Sequence, residues 1–294
     1  MRILICSLAL PLLGLAQGSS VGGSYLKFPA SARLAALGEA VIADPSVLSS
    51  GGINPANIFS TSAGSLLISN AQWIQNITQQ NLAFSLPLAQ GTAAFGVTRS
   101  SVPDVQIRTI PGPLVGTFDP QAAIFTGSFA TKLSDNLIVG ITGKYIYEKI
   151  YVDESTGFAA DLGMLLKTPI EGLSAAVALT NLGSLSAFRV ERVDLPRRYS
   201  LGLSYAFSEL QLQNRAYASA VFDKSATGSS FFFGIQSMYE QAVFARLGYQ
   251  TGIEARGFSL GLGAAYSIGQ FDYAFLPFSS GLGSSHIISL EFLF

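Results

Sequence analysis

The chain has 294 residues, of which 49% are hydrophobic and only 12% are charged, and its formal net charge is −1. Charged residues make up about 25% of an average soluble domain, so this composition argues against an ordinary soluble protein and favours a membrane protein. No basic stripe is present, which argues against nucleic acid as a partner. The single cysteine, Cys6, excludes a disulfide framework.

The first 16 residues have the pattern of a secretory signal peptide. One basic residue precedes an apolar run, and a small-x-small ending at Gly14-Leu15-Ala16 predicts cleavage after Ala16. A membrane anchor is the alternative, but the run is shorter than the ~20 residues that a spanning helix needs. Cys6 lies too early in the run for a lipoprotein cysteine.

Residues 17–63 form a segment that is too long for a simple tail. A helical stretch is predicted over 31–43, with Ser31 as a weak N-cap, because no acid follows three residues later. A stretch rich in proline, glycine and serine then leads to Asn54-Pro55-Ala56. We expect a plug on the periplasmic side, folded into a barrel, with a disordered arm as the alternative.

Residues 64–294 carry hydrophobicity in segments of about ten residues with period two, the pattern of transmembrane β-strands. In 198–207, for example, Leu201 and Leu203 share one face while Ser200, Gly202 and Ser204 share the other. The fold class is therefore predicted to be all-β, a transmembrane antiparallel barrel of about 14 strands. The strands are predicted near 65–73, 79–87, 91–100, 122–131, 136–148, 157–167, 173–182, 197–207, 214–223, 229–239, 242–251, 257–267, 270–278 and 285–294.

The connections between these strands test the prediction independently. With the C-terminus in the periplasm, short periplasmic turns should alternate with longer extracellular loops. The two longest connections, 101–121 and 183–196, both fall in the extracellular set. The chain is thus predicted to lie in the bacterial outer membrane, with outer-membrane lipid around it.

The last strand has the character of an assembly signal. Ile288, Leu290, Phe292 and Phe294 share one face, and the chain ends on phenylalanine. Phe292 and Phe294 are the residues that we expect the barrel-assembly machinery to recognise during biogenesis.

The run 25–59 resembles the N-terminal signature of the PorV/PorQ family. An apolar-lysine segment precedes a small-x-Arg-x-x-x-x-Gly helix, and a variable link leads to Asn-Pro-Ala; the matching positions are Arg33, Gly38, Asn54, Pro55 and Ala56. A second match joins 181–183 and 195–196 to the strand that follows. The chain departs from the family at 36–39, where Ala36-Leu37-Gly38 replaces Gly-Met-Gly and Glu39 replaces a small residue. The link also contains fewer acids than usual.

The resemblance implies a FadL-like barrel in which Asn-Pro-Ala belongs to a plug, or hatch, inside the lumen. It also implies a link to type IX secretion in some members. In those members the barrel receives secreted proteins with C-terminal targeting domains, or other components of the secretion system, and passes cargo to the cell surface.

Arg33 lies on a mainly apolar predicted helix. A charge inside a barrel needs a partner, and we expect Asp161, Asp272 or Glu291 of the wall to supply it, rather than Arg33 being a solvated rim charge. Asn54 precedes proline and is expected to be extended. We interpret Asn54-Pro55 as a structural turn rather than a ligand contact.

The sequence offers no convincing catalytic or cofactor site. His286 is the only histidine, and Ser285 beside it points to the opposite face of a strand. The short glycine patterns lack the strand–helix context of a nucleotide loop, and no metal-ligand cluster is evident. We expect neither an enzyme nor a bound cofactor.

Two functions remain open at this point. One is a barrel linked to type IX secretion, which binds or passes exported proteins. The other is a FadL-like transporter of hydrophobic small molecules across the outer membrane, suggested by a plugged barrel of medium size and by lumen-facing Phe244 and Leu276.

Overall fold

A computed structural model describes residues 22–45, 48–60, 63–108, 112–187, 193–209, 211–224, 228–253 and 255–294. The predicted signal peptide, residues 1–16, and the first residues of the predicted plug segment lie outside this range. Among the described residues, no helix is both long enough and apolar enough to cross a membrane.

Fourteen antiparallel strands close into a barrel. Each strand pairs with its neighbours in the barrel, and the ring closes where β17 pairs with β1. The strands are β1 (Ser65–Gln72), β2 (Thr78–Leu88), β3 (Gly91–Ser101), β6 (Gln121–Ser134), β7 (Leu137–Ile150), β8 (Asp153–Lys167), β9 (Leu173–Leu185), β11 (Arg198–Glu209), β12 (Leu212–Asp223), β13 (Ser229–Tyr239), β14 (Val243–Gln250), β15 (Phe258–Tyr266), β16 (Gly269–Pro277) and β17 (Ser284–Leu293). The predicted all-β barrel of 14 strands is confirmed.

The two longest connections lie at the same end of the barrel, as predicted, and both contain short strands that the sequence did not indicate. In the connection 102–120, β4 (Val105–Ile107) pairs with β5 (Gly116–Phe118) as a separate hairpin. In the connection 186–197, β10 (Val193–Asp194) extends the edge of β9. Because bacterial barrels have longer extracellular loops, this end is the outer one.

The strands present an apolar face outward and a small or polar face inward. Phe95 and Phe158 on the outer surface are 64% and 72% exposed. Ser69, Ser200 and Ser259 on the inner surface are buried. An apolar exterior that alternates with a polar interior is the arrangement that a bilayer selects, and the protein is an outer-membrane barrel.

The barrel closes at its C-terminus. Phe294 and Gly64 exchange backbone hydrogen bonds of 3.1 Å and 2.8 Å, and the Phe294 ring stacks on Phe84 at 6.0 Å. Phe292 lies opposite Leu66 on β1. Recognition of Phe292 and Phe294 by assembly machinery remains a prediction.

Residues 22–45 and 48–60 run through the interior of this ring, and we call them the inner segment. Its first helix, α1 (Ala32–Ala36), packs on β14 to β17, and the turns at 41–43 and 55–58 pack on β9, β11 and β12 and on β6 to β8. These strands span most of the ring, so the segment crosses the lumen between them.

The predicted helix over 31–43 is wrong in its length. α1 ends at Ala36, and Gly38 and Glu39 both have left-handed backbones, with φ of 60° and 58°. The chain must turn here to cross from one wall of the barrel to the other. Ser31 does cap the helix, since its Oγ accepts a hydrogen bond of 3.2 Å from the Leu34 N–H.

The inner segment also begins on the other side from that predicted. The Gly22 N–H donates to the Asp194 carbonyl at 3.2 Å, and Lys27 pairs with Asp223 at 2.7 Å. Both partners lie at the outer end of the barrel, so the first described residues of the segment lie outside the expected periplasmic-side position. In contrast, Arg33 and Asp44 face the periplasmic side, and the last part of the segment joins β1 at the periplasmic end.

Inward-facing glycines allow the inner segment to lie directly on the wall. A side chain at Gly140 or Gly163 would collide with Asn54-Pro55, and one at Gly261 would collide with Ala36. Their positions fix the route of the segment across the lumen.

Candidate functional site

Arg33 lies at the centre of a buried network on the periplasmic side of the inner segment. Its guanidinium pairs with Asp44 of the same segment and donates to the Tyr217 hydroxyl at 3.2 Å. The Asp44 carboxylate also accepts from Tyr217 at 3.1 Å and from Arg215 at 3.2 Å. Burial would lower the pKa of Arg33, but the adjacent Asp44 outweighs it and holds the pKa above its ordinary value.

The three wall carboxylates expected to hold Arg33 do not form its ion pair. Asp161 pairs with Lys144 at 2.7 Å, and Asp272 pairs with Arg246 at 2.6 Å. Glu291 lines the same space as Arg33 but forms no ion pair with it in the described part of the chain. The expectation is corrected because the inner segment folds back and supplies its own carboxylate.

Asn54-Pro55-Ala56 forms a capped turn pressed against the wall. Asn54 is extended, as expected before proline, and its Oδ1 accepts from the Ala56 N–H at 3.0 Å. Its Nδ2 donates to the Ile42 carbonyl at 2.8 Å and to the Met164 carbonyl at 3.3 Å. The side chain therefore ties two parts of the segment to β8, which is a structural role.

Glu39 forms a second charge network on the outer side. Its carboxylate accepts from Arg256 at 2.8 Å and lies 3.6 Å from Arg198. Gln250 donates to the Gly38 carbonyl at 2.9 Å and to Glu39 at 3.4 Å. Burial would raise the pKa of Glu39, but Arg256 and Arg198 outweigh it and hold the pKa below its ordinary value.

An aromatic stack covers this outer network. Phe28 of the inner segment stacks on Trp73 at 4.8 Å between ring centroids, and Trp73 meets Phe278 edge-on at 6.1 Å. The Arg256 guanidinium lies 5.4 Å from the Trp73 ring. Three outer connections thus hold the segment at one point. We call Glu39, Arg256, Arg198, Phe28 and Trp73 the outer latch.

Sequence analysis missed this latch, although two signals pointed to it. Glu39 was noted only as a departure from the family pattern, and Trp73 is the only tryptophan of the chain. An acid inside an apolar segment predicts a cationic partner, but nothing local in the sequence indicates that Arg256 comes close.

The inner segment leaves several spaces between itself and the barrel wall. The periplasmic vestibule has a volume of about 820 Å³ and is lined by Arg33, Asp44, Arg215 and Glu291, with Phe244 among its apolar side chains. A smaller cavity of about 120 Å³, which we call the outer cavity, lies between the segment and strands β1 to β3 and β6 to β8. Leu276 lines neither space and packs against Ala32 and Ala35 of α1.

The lipid-facing wall has two shallow apolar grooves. One of about 740 Å³ crosses β7 to β13 over Ala175, Ala218 and Ala220, and one of about 450 Å³ crosses β6 to β9. Small side chains between larger ones create these depressions. Met164 and Val177 line both grooves, so the two are continuous.

His286 lies on the outward face near the outer rim. Its Nδ1 lies 2.7 Å from the Tyr273 hydroxyl, and its Nε2 lies 3.1 Å from the Ser284 hydroxyl. Ser285 is buried and lies on the opposite face of the strand, as expected. These contacts belong to the outward surface of the barrel.

No protein-family model matches the chain, and no curated protein is similar to it in sequence. Solved structures share its fold. The Pseudomonas putida toluene transporter TodX superposes with a TM-score of 0.61 at 10% identity, covering 90% of this chain and 97% of TodX.

Two further structures are similar. The monoaromatic hydrocarbon channel CymD gives a TM-score of 0.59 at 13% identity over 90% of this chain and 97% of its own. A Pseudomonas aeruginosa FadL homologue gives 0.54 at 12% identity over 86% and 95%. The chain therefore has a FadL-like outer-membrane barrel fold.

Proposed function

We propose that this protein is a gated outer-membrane transporter of small hydrophobic molecules. The observation that carries the proposal is the inner segment, which crosses the lumen and leaves spaces between itself and the barrel wall. A solute can cross such a barrel only if the segment moves, so an open diffusion pore is a poor description of the function.

The contacts between the inner segment and the barrel support the proposal that the segment can move to open the lumen. The outer latch depends on Trp73 and Arg256 in two outer connections and on Arg198 at the start of β11, and breaking it requires no change in the pairing of the strands. The apolar grooves on the exterior would let a hydrophobic molecule rest against the wall. TodX and CymD, which share the fold, are described as a toluene transporter and a monoaromatic hydrocarbon channel.

A reversible cross-link between segment and wall tests the proposal. Leu37 Cβ lies 3.3 Å from the position of a Cβ added at Gly234 on β13, and that added Cβ lies 2.7 Å from the Leu37 carbonyl oxygen. A small shift of the segment away from β13 would bring the two Cβ atoms to the roughly 3.5–4.5 Å that a disulfide needs. Leu37→Cys combined with Gly234→Cys should block uptake of toluene by cells when oxidised. Reduction should restore it, because no other cysteine remains after residue 6.

Each single cysteine variant is the matched control and should transport regardless of oxidation. Heat modifiability on gels would show that all variants form barrels. Unchanged toluene uptake in the oxidised double variant, with cross-linking verified by mass spectrometry, would count against passage through the lumen.

A second candidate is the role in type IX secretion that membership of the PorV/PorQ family would bring. Its support is the resemblance of residues 25–59, together with the long outer connection and its β4–β5 hairpin, a surface that an exported protein could contact. Its partners would be secreted proteins with C-terminal targeting domains.

Gene deletion separates the two candidates. Loss of surface delivery of such proteins, with toluene uptake intact, would support secretion. A pull-down from detergent-solubilised outer membrane, read by mass spectrometry, would identify any co-purifying cargo and the assembly machinery that we expect to handle Phe292 and Phe294.

A further inference from the structure

The outer cavity has a lining of mixed polarity. Its barrel side carries hydroxyl and amide groups together with apolar side chains, and these residues include Asn81, Thr98 and Thr142 beside Leu67, Ala94 and Ile124. Its inner-segment side is mainly apolar and includes Tyr25, Leu26, Phe28, Leu48 and Ile58, together with Ser49. A molecule bound here would meet both apolar surface and hydrogen-bonding groups.

The charges at the edge of the cavity are already compensated. Lys144 pairs with Asp161 at 2.7 Å and donates to the Asn181 Oδ1 at 2.8 Å. Asp161 also accepts from the Asn181 N–H at 2.8 Å. A carboxylate ligand would have to displace Asp161 from a buried cation, which is costly. The cavity therefore favours an uncharged ligand.

Two buried polar atoms on the cavity wall have no hydrogen-bond partner among the described residues. They are the Gln79 Oε1 and the Ser49 Oγ, and the two residues are only 3% and 2% exposed. Buried polar groups normally have partners. The Gln79 oxygen can only accept, so it suits a donor such as a ligand hydroxyl.

The size of the cavity limits the ligand further. A volume of about 120 Å³ is close to the roughly 150 Å³ of a protein cavity that binds benzene. A long acyl chain would not fit. Building on the proposed function, we infer that the outer cavity binds an uncharged single-ring molecule with a hydroxyl group, of the phenol class.

Three probes with the same ring test this inference. Phenol, toluene and benzoate would be titrated into the protein in lipid nanodiscs by calorimetry, with empty nanodiscs as the blank. Phenol should bind more tightly than either of the others. One hydrogen bond is worth about a fivefold change in affinity.

Variants then locate the site. Gln79→Leu should weaken phenol binding about fivefold while leaving toluene binding unchanged. Thr156→Val, on the exposed outer face of β8, is the matched control and should have no effect. Ala83→Leu, which fills the cavity, should abolish saturable binding of phenol.

Equal affinity for phenol and toluene, or a phenol affinity that none of the cavity variants changes, would overturn the inference. Absence of saturable binding by all three probes would overturn it as well and would leave a water-filled cavity. Neither result touches the proposed function, which would fail instead if the oxidised cross-linked barrel still took up toluene.

Discussion

The two charge networks of the inner segment differ in where their charges come from. On the periplasmic side, Arg33 and Asp44 both belong to the segment, and the barrel adds Tyr217 and Arg215. On the outer side, the segment supplies only Glu39 and the barrel supplies both cations. The first pair can move with the segment, whereas the second must break when the segment leaves its place.

This difference suggests separate roles for the two networks, one in the stability of the segment and the other in its opening. A buried ion pair that is internal to the segment keeps the segment folded whether the lumen is open or closed. An ion pair between the segment and outer connections stabilises only the closed state. We therefore expect the periplasmic network to set stability and the outer latch to set opening.

The largest effect should come from Asp44→Ala. It leaves Arg33 buried without its carboxylate, and removing one partner of a buried pair costs about 3–5 kcal/mol. Proteolysis of the inner segment at increasing denaturant would measure this loss. Asp135→Ala, at an exposed surface pair with Lys132, is the control. Equal protease resistance in Asp44→Ala and wild type would show that the periplasmic network does not stabilise the inner segment.

Next in size is Gly140→Ala, which tests the fixed part of the segment. A methyl group here would collide with Pro55, and such overpacking costs about 1–3 kcal/mol. Gly143→Ala on the same strand meets nothing within 4 Å and should be neutral. The midpoints of thermal unfolding of the two variants are compared. Equal midpoints would show that the strand or Pro55 shifts to make room for the methyl group at no cost in stability.

A smaller loss of stability, about 1–2 kcal/mol, is expected for Glu39→Gln, which keeps one acceptor but removes the charge. Its main effect should be on opening, measured as solute leakage from proteoliposomes, which should rise several-fold at neutral pH. If leakage stays at the wild-type level, the outer network does not hold the segment closed.

Leakage through the wild type should also depend on pH. Because the folded pKa of Glu39 lies below its ordinary value of 4.5, its stabilisation is fully present above that value and is lost as the pH falls through the lowered pKa. Leakage should therefore be flat from pH 5 to 8 and rise below 4.5. Glu39→Gln should lack this dependence.

The smallest effect is spectroscopic. Trp73 is the only tryptophan and is 4% exposed, so its emission reports on the outer latch alone. Glu39→Gln should shift the emission to longer wavelength, and Asp44→Asn should shift it less. The opposite order would reverse the roles assigned to the two networks.

The barrel was predictable from sequence because each strand faces lipid on one side and the lumen on the other, which produces an alternation of apolar and polar residues. The strand 229–239 was predicted at the residues where β13 lies, and the other strands within a few residues. β4, β5 and β10 were not predicted, since strands of two or three residues carry too little periodicity.

The interior was harder to predict because its contacts join distant parts of the chain. The need of Arg33 for a carboxylate was anticipated, but Asp44 was overlooked, since its approach depends on the turn at Gly38 and Glu39. The meeting of Glu39 with Arg256 joins residues 217 positions apart. Charge alone indicates that a partner must exist, and only the path of the backbone selects it.

The inward glycines have a consequence beyond close packing. Bare positions at Gly140, Gly163, Gly248 and Gly261 mark where the central chain touches the surrounding sheet. The glycine positions in the strands therefore record, in the barrel sequence, where the inner segment makes contact. In related barrels, the loss or displacement of these lumen-facing glycines would indicate, from sequence alone, that the inner segment follows a different path.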